Sequence, residues 1–313
     1  MAEIAYLQVQ RACNQACLFC SNPSNGRSMP MPEAVARLES YAQSGVPGVI
    51  LTGGEPTLYP RLPEVIAEAK SRGLQTRIIT NGSKTREFIY LKKLVHAGLD
   101  SMHVSIFSHR DAVHDRLVNH KSALNNIRET LENAGKLFFD VRINSVINKY
   151  NSAHLSEIPK WIVREYPFIR HFSLNNMDPH MVRPEHRDTI PRFSEFELEL
   201  HRWMDFIHST GRTFRVERVP LCYMAGFEHC STETRKIVKR EGRAIHFLDQ
   251  RGFRQVGPSF FKHEKSQRCE TCTLEPICGG VLDMDIYYDS TEISPVFVSR
   301  QPIVEKILGD IDP

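Results

Sequence analysis

A chain of 313 residues with 41% hydrophobic and 25% charged residues has the composition of an ordinary globular protein. No apolar run approaches the ~20 residues that cross a bilayer, so no membrane partner is expected, and a net charge of +3 is too small to argue for nucleic acid. The length admits one large α/β domain or a barrel-like domain with an appendage.

Short β-rich runs alternate with amphipathic stretches. Ile4–Val9 reads as a strand that runs straight into a cysteine-bearing loop, and Glu33–Ser44 as a helix with Val35, Leu38 and Ala42 at helical spacing. Gly48–Leu51 is the next strand, followed by a helix with Leu62, Val65, Ile66 and Ala69 on one face. Thr76–Thr80 is a third strand that ends at the turn signal Asn81-Gly82, and the helix over Glu87–His96 turns Phe88, Leu91 and Val95 inward. Ser101–Phe107, Val141–Ile147 and Phe168–Leu174 read as the fourth to sixth strands. Lys121–Ala134, Leu155–Tyr166 and Phe193–His208 read as helices, the last with Phe196, Leu200, Trp203 and Ile207 on its inner face.

Six strand–helix units in a row predict parallel strands joined by right-handed crossovers. Periodicity leaves two architectures open, a doubly wound sheet or a barrel, complete or not. In both, ligands bind at the C-terminal ends of the strands. The alternation stops after about Gly211, which predicts one domain over residues 1–210 and a smaller, cysteine-rich one over 211–313. The basic run Arg235–Arg240, with Arg243, reads as a solvated helix face.

Three cysteines, Cys13, Cys17 and Cys20, stand on the loop after the first strand. Three thiolates so spaced can hold three corners of a four-iron (4Fe-4S) cluster and leave the fourth iron open to a ligand. A disulfide framework fits poorly, because no basic-then-apolar signal segment occupies Met1–Leu7; eight cysteines then point to a reducing, cytoplasmic compartment. Structural zinc is the rival, although no cysteine lies between Cys20 and Cys222 to complete a zinc ribbon. After the second strand comes Thr52-Gly-Gly-Glu-Pro56, where two glycines let backbone approach a ligand and proline stiffens the exit. By itself, that segment is equally a plain strand-to-helix turn.

Together, the cysteine trio, with Phe19 before its last member, and the Gly-Gly-Glu-Pro segment closely resemble the pattern of the radical S-adenosylmethionine (radical SAM) enzymes. The resemblance spans roughly residues 1–210 and implies a partial (β/α)6 TIM-like barrel. It implies that Cys13, Cys17 and Cys20 ligate the cluster whose open iron chelates SAM, and that Gly53, Gly54, Glu55 and Pro56 border the methionine end. Ser105 on the fourth strand and Arg142 on the fifth stand where the family often places a polar SAM contact and a partner for the SAM carboxylate; each is equally an ordinary strand or rim residue. A radical SAM enzyme also needs a low-potential electron donor of flavodoxin or ferredoxin type.

The C-terminal third holds Cys269, Cys272 and Cys278, with Cys222 upstream. Four thiolates suit an auxiliary 4Fe-4S cluster or a zinc ion. The resemblance favours the cluster, in a small iron–sulfur domain of the SPASM or twitch type. The lack of a further cysteine soon after Cys278 implies one auxiliary cluster. Cys230 is left over. It is a buried thiol, a replacement for Cys222, or a hydrogen-atom donor to a substrate radical, as in radical epimerases that this architecture resembles. His103, His109, His114 and His120 invite a metal reading, but only His109 and His114 are close in sequence, and they are read as non-ligands.

The resulting expectation is a radical SAM oxidoreductase or maturase acting on a ribosomal precursor peptide by crosslinking, epimerisation or oxidation. A radical dehydrogenase or epimerase of a sugar or aminocyclitol is the alternative. Against the peptide, the sequence shows no leader-binding domain before its first strand. A non-catalytic iron–sulfur or zinc protein is the reading from another class.

Overall fold

Parallel strands, each followed by helix, build the first two thirds of the chain in the computed structural model, which describes residues 2–309. Residues 1 and 310–313, at the outer ends of the two expected domains, lie outside the described residues. Strands β1 (Ala2–Gln10), β2 (Gly48–Gly53), β3 (Gln75–Thr80), β4 (Ser101–Ser105), β5 (Asp140–Val146) and β6 (His171–Asn175) lie side by side in chain order, all parallel. The helices are α1 (Met31–Gln43), α2 (Leu62–Ser71), α3 (Phe88–His96), α4 (Asp111–Val118), α5 (Ala123–Lys136), α6 (Glu157–Glu165) and α7 (Glu197–Ser209).

The period-2 pattern of each strand decides which face meets the helices. On β5, Val141 and Ile143 pack into the core, while Arg142 and Asn144 line a central cavity. On β3, Ile78 is buried and Arg77 lines the same cavity. The apolar face therefore looks outward to the helix layer and the polar face looks inward.

Helix α2 buries Leu62, Val65, Ile66 and Ala69 as expected, and α7 buries Leu200, Trp203 and Ile207. Helix α1 buries Ala34, Leu38 and Tyr41 in place of the Val35–Leu38–Ala42 face, and α3 buries Leu91 and Leu94 while Phe88 and Val95 stay half-buried. Helix α4, absent from the sequence-based expectation, is one short element that buries only His114, Leu117 and Val118.

The alternation does not stop at Gly211. β7 (Thr213–Glu217) continues it parallel to β6. Beyond α8 (Thr232–Lys239), β8 (Gly242–His246) pairs in parallel with β1 on the opposite flank, and β9 (Phe253–Val256) runs antiparallel outside it. Among the described residues the nine strands form one sheet in the order β7-β6-β5-β4-β3-β2-β1-β8-β9, curled but not closed. Helix α9 (Gln301–Gly309) ends the described chain. The basic run is not a solvated face either: α8 buries Arg235 and Lys236, and Lys236 Nζ lies 2.8 Å from Glu241 Oε2. The seam between the sheet's flanks supplies the acids that let these charges be buried.

Candidate active site and four-cysteine centre

The cysteine loop and the glycine turn are welded by backbone contacts. Gly54 N–H donates to Gln10 O at 2.8 Å and Glu55 N–H to Ala12 O at 2.9 Å. The Gln10 amide returns a hydrogen bond to Glu55 O at 2.6 Å. A Cβ on Gly54 would lie 2.4 Å from Ala12 O, and one on Gly53, whose φ is +134°, would lie 1.9 Å from Gln10 O. The two glycines are thus required by the approach of the cysteine loop itself.

Glu55 is buried, and its carboxyl is held by neighbouring donors. Its Oε1 accepts from Thr57 N–H (3.0 Å), Thr57 Oγ1 (2.6 Å) and Thr80 Oγ1 (2.8 Å), and its Oε2 from Asn81 N–H (2.7 Å). Burial pushes its carboxyl upward, against these donors. The carboxylate thus staples the end of β2 to the end of β3. Asn81, held in place by that staple, directs its Nδ2 to Cys13 Sγ at 3.8 Å and to Asn14 Oδ1 at 2.9 Å.

Two residues that sequence reasoning missed also stand by the trio. Arg11 is buried, donates to Pro23 O at 2.7 Å, and pairs with Asp249 Oδ2 at 3.0 Å on the loop between β8 and β9. Leu248 N–H of that loop donates to Gln8 Oε1 at 2.9 Å, and its carbonyl accepts from Asn25. Arg183, on the loop after β6, lines the cavity beside the cysteines. No local signal marks either contact.

All three thiols are pushed up by burial, Cys13 to about 11 and Cys17 further, while the positive charges of Arg11 and Arg183 oppose the shift at Cys20. N–H groups already face one of these thiols, Gln15 N–H reaching Cys13 Sγ at 3.4 Å. The donor set suits a cationic iron–sulfur core with room for a further ligand. Among the described residues, no three His, Cys, Asp or Glu donors converge as one metal ion would need.

The trio opens into a cavity of about 1300 Å³ inside the curled sheet. Cys13, Cys17, Cys20, Gly53, Gly54, Glu55, Ser105 and Arg142 all line it; Pro56 is buried behind the turn and does not. Ser105, in register with Asn144, stands at the end of β4 nearest the trio. Arg142 lies one inward position deeper, in register with His103 and His171, and its Nε is 3.1 Å from Asp140 Oδ2.

The second constellation also assembles. Cys222, Cys269, Cys272 and Cys278 line one small apolar cavity with Leu274, Val281 and Ile293. Burial pushes Cys222 up to about 12, and the neighbouring Cys278 and Cys269 add to it. Gly280 N–H points at Cys278 Sγ and Val296 N–H at Cys272 Sγ, each at 3.3 Å. Four sulfurs with amide donors fit a fully ligated cluster. Cys230 is buried in the core and lines neither cavity. The four histidines have separate surroundings: His103 faces the barrel cavity, His114 Nδ1 accepts from Phe107 N–H at 3.2 Å, His109 packs edge-on against His154, and His120 Nδ1 lies 2.8 Å from Lys121 O.

Comparison with known proteins places the chain among relatives. The Radical SAM superfamily model matches residues 7–162. The chain is similar to 7,8-dihydro-6-hydroxymethylpterin dimethyltransferase of Methanocaldococcus jannaschii, 24% identical over 283 residues that cover 81% of this chain and 55% of that protein. It is similar to PqqA peptide cyclase of Xanthomonas axonopodis pv. citri, 30% identical over 150 residues, 47% of this chain and 40% of that protein. The chain spans about half the length of the curated relatives it matches. In fold it is similar to Streptococcus suis SuiB bound to S-adenosylmethionine, with a TM-score of 0.65 at 15% identity over 90% of this chain and 73% of that one. SuiB bound to precursor peptide SuiA gives 0.62 at 14%, over 90% and 72%.

Proposed function

The chain belongs to the radical SAM superfamily, and we propose that it is an enzyme that takes a hydrogen atom from a substrate seated inside the curled sheet. The observation that carries this reading is the backbone weld between the cysteine loop and the Gly53-Gly54 turn at the mouth of the large cavity. When bound, the cluster and SAM supply a 5′-deoxyadenosyl radical, able to attack an unactivated carbon. The protein's own task is placement. Cys13, Cys17 and Cys20 hold three corners of the cluster, while Gly53, Gly54 and Ser105 offer backbone and hydroxyl groups to SAM. The helix-covered wall keeps water from the reacting carbon. Cys222, Cys269, Cys272 and Cys278 hold an auxiliary 4Fe-4S cluster, and a flavodoxin- or ferredoxin-type protein of the cytoplasm supplies the electron. Cys230 lines neither cavity and takes no hydrogen-donor role in this reading.

The substrate we propose is a ribosomal precursor peptide. The names of PqqA peptide cyclase and of SuiB bound to its precursor peptide support this, as does a cavity of about 1300 Å³ that opens at the trio. A small molecule is the second reading, favoured by the polar inner wall of β4 to β6. Anaerobically reconstituted protein with dithionite and SAM tests the enzyme. Formation of 5′-deoxyadenosine with about eight irons per chain is expected; no 5′-deoxyadenosine from iron-loaded protein overturns it.

A further inference from the structure

The inner wall carries a belt of basic side chains below the layer that faces the trio. Register places His103 of β4 beside Arg142 of β5 and Arg142 beside His171 of β6. Arg77 of β3 and Arg215 of β7 flank them, and all five line the large cavity. One inward position nearer the cysteines, β3 to β6 present the neutral Ile79, Ser105, Asn144 and Ser173, and β7 presents Glu217.

The acids in reach are engaged elsewhere or shared. Asp140 pairs with Arg142 from the far end of β5, and Glu217 of the same cavity is held by Arg218 and Arg243. Each belt arginine has contacts within the protein; Arg215 Nη1, for one, donates to Phe214 O at 2.9 Å. An entering anion would add to those contacts. His171 Nδ1 is 2.8 Å from Thr213 Oγ1, whereas the buried Nε2 of His103 has no hydrogen-bond partner among the described residues. Burial and then the charges of Arg142 and Arg77 hold His103 down to about 3, and burial followed by His103, Arg142, Arg215 and Arg77 depresses His171 as well. Burial does most to keep the two imidazoles neutral, and the guanidiniums of Arg77, Arg142 and Arg215 beside them make this a region of positive potential.

We propose that this belt binds an anionic group of the substrate, a phosphate or a carboxylate, at the foot of the barrel, while the rest of the substrate extends toward Cys13, Cys17 and Cys20. The inference rests on the reading of the cavity as a substrate site. It gives Arg142 a partner on the substrate in place of the SAM carboxylate, since Ser105 and Asn144 stand between it and the trio's end of the strands. It also predicts polarity: the reacting carbon lies at the far end of the substrate from its anionic group.

Calorimetric titration of the reconstituted protein with inorganic pyrophosphate, and separately with N-acetylaspartate, tests the belt and distinguishes the two sources of the anion. At least one probe is expected to bind, with affinity reduced about tenfold or more in Arg77→Gln and His103→Gln. Arg164→Gln, on the exposed face of α6, is expected to bind as the unaltered protein does. Imidazole resonances of His103 in the unaltered protein provide a readout free of folding effects and should move as the probe saturates. Failure of both probes to bind, binding that the belt variants leave unchanged, or an unmoved His103 signal overturns the proposal. Formation of 5′-deoxyadenosine is measured independently, so a protein that cleaves SAM without binding anions sinks the belt alone, and one that binds anions without cleaving SAM sinks the radical reading alone.

Discussion

Glu217 Oε1 stands 3.3 Å from Arg243 Nη1, and this pair joins the two flanks of the open sheet. β7 is the edge strand on one side, and β8 follows β1 on the other. Arg218 Nη2 reaches the same Glu217 oxygen at 3.1 Å. Where strands fail to meet, charge closes the wall around the cavity. Burial would raise the Glu217 carboxyl, but Arg243 and Arg218 outweigh it and hold the group low; Glu233 behind it is pushed up by burial and by Glu217.

Glu217→Gln should destabilise the protein by about 3–5 kcal/mol, because two largely buried guanidiniums lose their shared counter-charge. Its folded pKa is depressed, so its stabilisation is present above the ordinary carboxylate range (about 4.3) and is lost as pH falls below it. Thermal midpoints measured across that range should fall for the unaltered protein more steeply than for the variant. Equal midpoints at neutral pH would show that the seam is not held by this pair.

The cysteine loop and the glycine turn were legible because their signal is local. Cysteines three and two residues apart, and two glycines after a strand, declare their chemistry without knowledge of anything distant. The four-cysteine centre was legible for the same reason at Cys269–Cys278, and chemistry alone drew in Cys222. What was not legible is built across long separations. Arg11 meets Asp249 at a sequence distance of 238, and no composition signal links them. β8 sits beside β1 because the core strand offers an unpaired edge, which a strand-by-strand reading cannot foresee. The basic run on α8 reads as solvated unless the acids of the seam are known. The motif marks Glu55 but not its side-chain bonds to Thr80 and Asn81, which come from the end of another strand.

Gly54→Ala should separate the two loops. The added Cβ would meet the backbone oxygens of Ala12 and Arg11 at 2.4 and 2.5 Å, atoms that cannot swing aside as a side chain could. Iron at the trio should be lost while the four-cysteine centre keeps its own, so iron should fall from about eight to about four per chain. Unchanged iron with intact SAM cleavage would show that the weld can relax.

Asp249→Asn should loosen the cysteine loop from the side of β8 and β9. The carboxylate is held far below its ordinary range, first by Arg251 and also by Arg11, and Arg11 keeps only 4% of its side chain exposed. Removing the counter-charge of a buried guanidinium that keeps a partly exposed partner costs about 1–3 kcal/mol. The contribution is present above the carboxylate range and disappears as pH falls through it. The expected signature is faster loss of the trio's iron on exposure to air, with the four-cysteine iron unaffected. Parallel loss at both centres would assign Asp249 a general structural role instead.

Two thiols, Cys222 and Cys230, compete to complete the second centre, and packing favours the first. Cys222 shares a cavity with Cys269, Cys272 and Cys278, and its thiol feels Cys278 and Cys269; Cys230 packs in the core away from that cavity. Cys222→Ser should therefore remove about four irons per chain, and Cys230→Ser should remove none. A cluster with three protein thiolates is more labile than one with four, so the Cys222 variant should lose its auxiliary absorbance during gel filtration even if some iron enters. If Cys230→Ser loses the iron and Cys222→Ser keeps it, Cys230 is the fourth ligand and Cys222 is not. If Cys230→Ser keeps all iron but abolishes turnover, Cys230 reaches a substrate radical by a path that the packing around it does not provide.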